Sequence, residues 1–320
     1  MRITSRVVAN RAPVSWALAF VLALSLLHPA GAAQTPSPLV MVVSWDGAKP
    51  AVLMELLQKG RLPKLKDMMT EGCWTWRART ILPSSTLPSH ISMLTGVPPE
   101  MHGVTWNSEK PEKGPLKVET AFSAAKRDGL RTAMVVGKPK LRLLDKPGTL
   151  DADVLEKGDA KAVARAARKI LRQQEPDLLF VHFAQPDAAG HDWGWGDEMA
   201  GTAPSPKYVK ALETCDRALA TLVRELKRSG RWGNTLLILT ADHGGMGQDH
   251  GGSDPQETTI PWIAAGGLVS ARGEIKVPVK TEDTAATALS ALGVPIPSGW
   301  TEKPVPCLRP CAERALRPAA

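Results

Sequence analysis

A short segment after the apolar run NTLLILT carries two aspartates and two histidines: Asp242, His243, Asp249 and His250. Carboxylates and imidazoles bind divalent cations, and they also move protons. The glycines between these residues would let the backbone and a metal ion approach closely. This segment is therefore either an ordinary polar turn or the place where the end of a strand holds cations.

Similar groups follow two other predicted strands. Asp46 ends the run 39–45, and Asp187 and His191 follow the run 177–183. Asp187 and His191 are four residues apart, so one helical turn would place both on one side. Carboxyl ends of parallel strands meet at one edge of a sheet, where ligands collect. We therefore expect these three residues to lie near Asp242 and His243, with ligands enough for a pair of divalent cations.

A cluster of hydroxyls precedes the helical pattern LPSHISMLTG: Ser84, Ser85 and Thr86. Such residues commonly cap a helix, which is a purely structural role. A hydroxyl at a helix N-terminus also faces free N–H groups and the positive end of the helix dipole, and these favour a phosphate. A metal ion there would lower the pKa of the hydroxyl enough for it to act as a nucleophile.

Apolar runs typical of buried strands alternate with helical patterns along the chain. This order predicts an α/β fold with mostly parallel strands and helices on both faces of one sheet. The predicted strands cover 39–45, 132–137, 177–183, 234–242 and 259–266, and the clearest helices cover 51–60, 159–174, 208–230 and 283–293.

The ends of the chain differ from this pattern. Residues 1–33 combine a basic start, the apolar run WALAFVLALSLL and small residues near Ala32, which together predict a signal peptide and export to the periplasm or the medium. An uncleaved membrane anchor is the alternative. Residues 34–305 are then the catalytic domain, and 306–320 a C-terminal tail. The net charge of +8 falls by three on cleavage, and no basic cluster alternates with aromatic residues, so no specific nucleic-acid binding is expected.

The four cysteines form no zinc-binding pattern. After export they would meet an oxidising environment. Cys307 and Cys311 could pair with each other or stay free, and the sequence does not assign the pairing of Cys73 and Cys215. The oligomeric state is also left open.

Four motifs in this order resemble the alkaline phosphatase superfamily, and most closely its type I phosphodiesterase/nucleotide pyrophosphatase branch. They are VSWDG, SSTLPSH with LTGVPPEMHGV, QPDAAGH and ADHGG with HGG. The resemblance covers most of residues 38–305. It implies a three-layer sandwich with a mostly parallel central sheet and a small or absent cap.

The resemblance also implies a ligand set for two divalent ions, most often zinc. One ion would be held by Asp46, Thr86, Asp242 and His243, and the other by Asp187, His191 and His250. Two further groups would contact a phosphoryl oxygen, namely the side chain of Asn107 and the backbone N–H of Leu87. Asp249 matches no family role.

By the same resemblance, Thr86 would attack phosphorus and form a phosphothreonine. The preferred function is a phosphodiesterase or nucleotide pyrophosphatase acting on small phosphate esters. A phosphomonoesterase remains an alternative, as does a phosphonoacetate-hydrolase-like enzyme, since GKPKLRLL resembles the lysine segment of that branch and makes Lys138 a substrate contact. A sulfatase is disfavoured because Thr86 and His90 replace the residues that sulfatases need. A non-catalytic metal or phosphate binder on the same fold is the alternative of another class.

Overall fold

The structure, a computed structural model, describes residues 37–308. The predicted signal peptide, and Cys311 with most of the predicted tail, lie outside the described residues. No helix in the described part of the chain is long and apolar enough to cross a membrane.

In the described part of the chain, eight strands form one sheet. They are β1 (Leu39–Trp45), β2 (Cys73–Arg79), β3 (Thr132–Val136), β4 (Ala152–Leu155), β5 (Leu178–Phe183), β6 (Thr235–Thr240), β7 (Thr259–Ala265) and β8 (Gly273–Glu274). The predicted strands correspond to β1, β3, β5, β6 and β7, whereas β2, β4 and β8 were not predicted.

Ten α-helices surround the sheet within residues 37–308. They are α1 (Pro50–Gln58), α2 (Pro63–Glu71), α3 (Thr86–Thr95), α4 (Pro99–His102), α5 (Ala121–Arg127), α6 (Ala160–Gln173), α7 (Gln185–Trp193), α8 (Pro206–Arg228), α9 (Pro255–Thr258) and α10 (Asp283–Leu292). Helices α6, α7 and α8 pack together on one side of the sheet, and α3, α5 and α10 pack together on the other. The predicted α/β architecture with helices on both faces is confirmed.

The strand order is β4-β3-β5-β1-β6-β7-β2-β8, which places β1 near the centre. The pairs from β4 to β6 are parallel, as predicted. Strand β7 instead runs antiparallel to both β6 and β2. Every residue of β1 is buried, as expected for a strand covered by helices on both faces. The carboxyl ends of β3, β5, β1 and β6 therefore meet at one edge.

The last described residues pack against this domain. Val305 and Cys307 are buried, and Leu308 pairs with Val269 in an isolated antiparallel bridge. The packed region thus continues past residue 305, where the tail was predicted to begin.

Candidate metal centre and active site

The sheet edge brings together the predicted ligands. Asp46 directly follows β1, and Asp242 and His243 follow β6 after one residue. Asp187 lies in the first turn of α7, and His191 lies one turn later on the same helix. This placement agrees with the expectation that polar residues at the ends of parallel strands converge.

His243 stands at the centre of the first cluster. Its Nε2 lies 3.2 Å from Asp242 Oδ2, 3.4 Å from Asp46 Oδ1 and 3.8 Å from Asp187 Oδ1. The hydroxyl of Thr86 lies 3.4 Å from the same nitrogen. All five side chains are buried. The predicted set of Asp46, Thr86, Asp242 and His243 therefore lies together, with Asp187 at its border.

The second cluster adjoins the first through Asp187. Asp187 Oδ1 lies 3.5 Å from His191 Nε2 and 3.4 Å from His250 Nε2. The ring of His250 also stacks on that of His243, with centroids 3.7 Å apart. Two sets of three residues have ligand atoms within 4.8 Å of one another, which suits a shared metal ion. They are Asp187 with His191 and His250, and Asp46 with Asp187 and His243.

The three ligand-set histidines share one hydrogen-bonding arrangement. In each, Nδ1 lies within hydrogen-bond distance of a backbone carbonyl, and Nε2 faces the carboxylates. The carbonyls facing His191, His243 and His250 belong to Gln248, Gly244 and Ser84, at 2.9, 2.7 and 2.9 Å. A carbonyl can only accept, so Nδ1 carries a proton and donates it. The lone pair of a neutral ring is then on Nε2, as a metal ligand requires.

The opposing carboxylates are incompletely paired. Asp46 Oδ1, Asp187 Oδ1 and Asp242 Oδ2 are buried and have no hydrogen-bond partner within residues 37–308. Buried acceptors that face imidazole nitrogens need positive charge between them. Burial lowers the pKa of His243, but Asp242 and Asp46 outweigh it and raise that pKa to about 9. The same oxygen and nitrogen donors fit divalent metal ions, including zinc.

The ammonium group of Lys138 contacts two of these carboxylates. It follows β3, and its Nζ lies 2.5 Å from Asp187 Oδ2 and 2.6 Å from Asp46 Oδ2. Burial would raise the pKa of Asp46, but Lys138, His182 and His243 lower it well below its usual range. Burial and Asp46 likewise act against ionisation of Asp187, yet His250, Lys138 and His243 lower its pKa to about 2. Both carboxylates are therefore ionised.

Thr86 is the first residue of α3, and Lys138 Nζ donates to its hydroxyl at 3.2 Å. The preceding Ser85 is the N-cap, but its side chain makes no capping hydrogen bond. The capping role considered for this hydroxyl cluster therefore does not account for Ser85. The Thr86 oxygen lies instead beside the metal ligands, with an ammonium group as its neighbour.

Asn107 reaches the same end of α3. Its Oδ1 accepts from the Leu87 N–H at 2.9 Å and from Lys140 Nζ at 2.8 Å. The Leu87 N–H, predicted to help hold a phosphoryl oxygen, thus binds Asn107 in this structure. With Oδ1 engaged by two donors, Nδ2 is the end of the side chain able to donate to a phosphoryl oxygen.

Sequence reasoning assigned no role at the site to two buried histidines, His90 and His182, that lie beside the ligands Asp242 and Asp46. His182 in β5 accepts from the Gly137 N–H at 3.2 Å and, through Nε2, donates to Asp46 Oδ2 at 2.8 Å. His90 lies 3.4 Å from Asp242 Oδ2, and burial lowers its pKa to about 4. A histidine within the buried run LLFVHF needs polar partners, and that was the available signal for His182.

The glycines near the site make room for Trp195. A Cβ on Gly245 would lie 2.3 Å from its indole, and one on Gly190 would lie 2.1 Å from it. The indole is buried, and its ring centroid lies 5.0 Å from that of His191 and 5.8 Å from that of His250. Trp195 therefore packs behind the histidines and does not present a face to a substrate.

Asp249 was predicted to have no ligand role. Its Oδ1 accepts from the backbone N–H of His250 at 2.9 Å, while its side chain is exposed. It belongs to the turn that carries His250.

A family model for type I phosphodiesterase/nucleotide pyrophosphatase matches residues 40–251, which include all seven predicted metal ligands. The chain belongs to this family. The resemblance inferred from the four motifs is thereby confirmed.

Family members with curated descriptions share modest identity with the chain. The bis(5'-adenosyl)-triphosphatase ENPP4 of Homo sapiens is 24% identical over 225 residues, which cover 65% of this chain and 47% of ENPP4. Venom phosphodiesterase 2 of Crotalus adamanteus is 25% identical over 239 residues, covering 68% of this chain and 27% of that protein. The chain spans about half or less of the length of these two relatives.

The fold is also that of a solved family member. Murine ectonucleotide pyrophosphatase/phosphodiesterase 5, in an inactive form in complex with AMP, superposes with a TM-score of 0.66 at 16% identity. The match covers 81% of this chain and 96% of that structure. It establishes the shared α/β fold.

Proposed function

We propose that this chain is a metal-dependent phosphoric-ester hydrolase, and within that class a phosphodiesterase or nucleotide pyrophosphatase that acts through Thr86. The family assignment supports the reaction class. The observation that carries the proposal is the hydroxyl of Thr86, 3.4 Å from His243 Nε2, among unpaired oxygens of Asp46 and Asp242.

Two metal ions would use the two clusters. Asp46, Asp242, His243 and Thr86 would hold one, and Asp187, His191 and His250 the other. Bound divalent cations supply positive charge that favours the alkoxide of Thr86 and opposes the charge on a leaving oxygen. The mixture of three carboxylates and three imidazoles favours zinc among the common metals.

The residues of the chain then account for the chemistry. The Thr86 oxygen forms a bond to phosphorus as the ester P–O bond breaks, and the hydroxyl proton passes to solvent. The leaving oxygen takes a proton from water. A second water molecule cleaves the phosphothreonine and restores Thr86. Asn107 Nδ2 would hold a non-bridging oxygen throughout, since its Oδ1 is fixed by Leu87 and Lys140.

A cavity beside Asn107 supports a substrate with an organic group. Its volume is about 240 Å³, and Leu87, Trp106, Lys140 and Leu143 are among its lining residues. The half-buried Trp106 offers an apolar surface there. The relatives named for nucleotide and phosphodiester substrates, and the AMP held by the murine structure, favour a nucleotide or aryl diester.

We also propose that the protein is exported, on the basis of residues 1–33. One relative of the chain is named as a venom phosphodiesterase, which supports this proposal. Detection of the mature chain in a periplasmic or culture fraction, with an N-terminus near residue 34, would test this.

The decisive experiment compares Thr86→Ala with Ser85→Ala in the zinc-supplemented protein. Hydrolysis of a bis-aryl phosphodiester should fall on the order of 10³-fold or more in the Thr86 variant and remain within a few-fold in the Ser85 variant. Metal content should persist in both. The inactive murine relative carries a threonine-to-alanine substitution, which motivates this choice. Unchanged turnover in Thr86→Ala would refute the mechanism through Thr86, whereas a metal-loaded wild type without turnover would be a metal-binding protein on this fold.

A second candidate activity is favoured by two lysines. Lys138 contacts Thr86 and Lys140 contacts Asn107, so a substrate carrying a carboxylate beside its phosphoryl group would meet two ammonium groups. Rates on an aryl diester, an aryl monoester and phosphonoacetate, measured on one preparation, separate the three activities. A dominant rate on phosphonoacetate would favour C–P hydrolysis over the diesterase.

A further inference from the structure

Two cysteines far apart in the sequence meet in the core. Cys73 is the first residue of β2, and Cys307 lies near the end of the described chain. Each has only 1% of its surface exposed. Their side chains lie close enough to affect each other's pKa, and neither sulfur is in a disulfide bond. The contact lies beside the pairing of β2 with β8, away from the metal ligands.

The backbone around Cys307 is fixed independently of its thiol. Its carbonyl accepts from the N–H of Ser270 at 2.9 Å, and Leu308 forms the bridge to Val269. The Val305 N–H donates to the hydroxyl of Thr287 in α10 at 2.9 Å. On the other side, Cys73 is held between Ala264 of β7 and Gly273 of β8. Ser270 and Gly273 belong to one short segment, so these backbone contacts bring Cys73 and Cys307 to the same part of the domain.

We propose that Cys73 and Cys307 form a disulfide when the protein folds in an oxidising environment. The bond would join the start of β2 to the C-terminal segment. It competes with the Cys307–Cys311 pairing that the short spacing of those residues suggests. In the described structure, Cys307 contacts Cys73.

The oxidant is a small-molecule or protein disulfide that reacts by exchange. One protein thiolate attacks the S–S bond of the oxidant and displaces one thiol. The second protein sulfur then attacks the mixed disulfide and displaces the other thiol. The two cysteines lose two electrons and two protons, and the oxidant becomes two thiols.

The remaining described cysteine serves as an internal control. Cys215 lies in α8 and is fully buried, and burial raises its pKa well above the usual value. Its sulfur should stay reduced and become available to alkylation only after unfolding.

The full chain is refolded with oxidised and reduced glutathione, alkylated after denaturation and digested without reduction. Trypsin releases Cys73 in the peptide 67–77, whereas Cys307 and Cys311 stay in one peptide because Pro310 follows Arg309. Mass spectrometry should find these two peptides linked, both in the wild type and in Cys311→Ser. The link should be absent in Cys73→Ser.

A stability measurement accompanies the peptide map. Closing so long a loop should raise the Tm of the oxidised protein over the reduced one by at least about 5 °C, and Cys73→Ser should lose this difference. Four free thiols in the oxidised wild type, or a bond between Cys307 and Cys311, would overturn the proposal. Tandem mass spectrometry of the linked wild-type peptides assigns the bond to Cys307 or to Cys311, so the wild type decides the question even if a variant does not fold. A bond between Cys73 and Cys311 would also overturn the proposal.

Discussion

Replacement of Lys138 by Met should destabilise the metal-free protein much more than the metal-loaded one. The Lys138 ammonium lies within 2.6 Å of carboxylate oxygens of both Asp46 and Asp187. Removing one member of a buried ion pair costs about 3–5 kcal/mol, because the other charges remain buried. The Lys138 side chain is 18% exposed, so solvent moderates this penalty, and we expect a loss of about 2–4 kcal/mol in the free energy of unfolding.

A divalent cation would neutralise the same carboxylates. In the zinc-loaded protein we therefore expect the loss to shrink below about 1 kcal/mol. A thermodynamic cycle links the two numbers: a difference of about 2 kcal/mol corresponds to roughly thirtyfold tighter metal binding by the variant. Urea unfolding followed by circular dichroism, with EDTA or with zinc, gives the stabilities, and competition with a chromogenic chelator gives the affinities.

The matched control for this experiment is Lys140→Met. Lys140 Nζ donates to the backbone and side-chain oxygens of Asn107, and it forms no ion pair within residues 37–308, so none is broken there. Its loss of stability should stay below about 1 kcal/mol in both conditions. Equal destabilisation of Lys138→Met with and without metal, or none at all in EDTA, would refute the reasoning that Lys138 and the metal ions neutralise the same carboxylates.

Three other predictions concern single residues. Burial raises the pKa of Glu282 to about 7, so its native form resists ionisation, and stability falls from about pH 4.5 to 7. Glu282→Gln should therefore stabilise the protein by up to about 3 kcal/mol at pH 8 and have little effect at pH 4.5, as denaturant titrations at both values would show. Gly245→Ala should displace Trp195, lower the free energy of unfolding by about 1–3 kcal/mol and reduce the metal content. Gly233→Ala, whose added Cβ meets open space, should have none of these effects. Asn107→Ala should lower kcat/KM on the order of 100-fold without loss of metal; retained activity would exclude its role at phosphorus.

Much of the sheet was predictable because its strands are apolar and continuous. The run 39–45 coincides with β1, and LLFVHF with β5. Strand β2 was not predicted because CWTWRAR inverts the usual pattern of buried apolar and exposed polar residues. Cys73, Thr75 and Ala78 are buried, while the two tryptophans are half-buried and Arg79 is exposed. The antiparallel direction of β7 depends on the path of the connection that leads into it, and the hydropathy pattern of a strand does not reveal its direction.

The site shows the same division. Residues at strand ends could be expected to converge, and the structure brings Asp46, Asp187 and His243 together. The residues that contact those ligands could not be predicted from sequence spacing, because each contact joins residues from different strands or helices. Lys138 was foreseen near the site as a substrate contact, but its pairing with two carboxylates depends on β3, β5 and β1 lying side by side.

The strand order also ties catalytic competence to completion of the whole domain. The two clusters draw on segments that follow β1 and β2, then β5, and finally β6, and β1 lies between β5 and β6. A nascent chain that stops before β6 lacks Asp242, His243 and His250, however well its earlier half is ordered. Hydrolytic activity therefore measures completion of the native fold. Fragments and folding intermediates that lack a packed β6 should be inactive, and activity should return only when β6 pairs with β1.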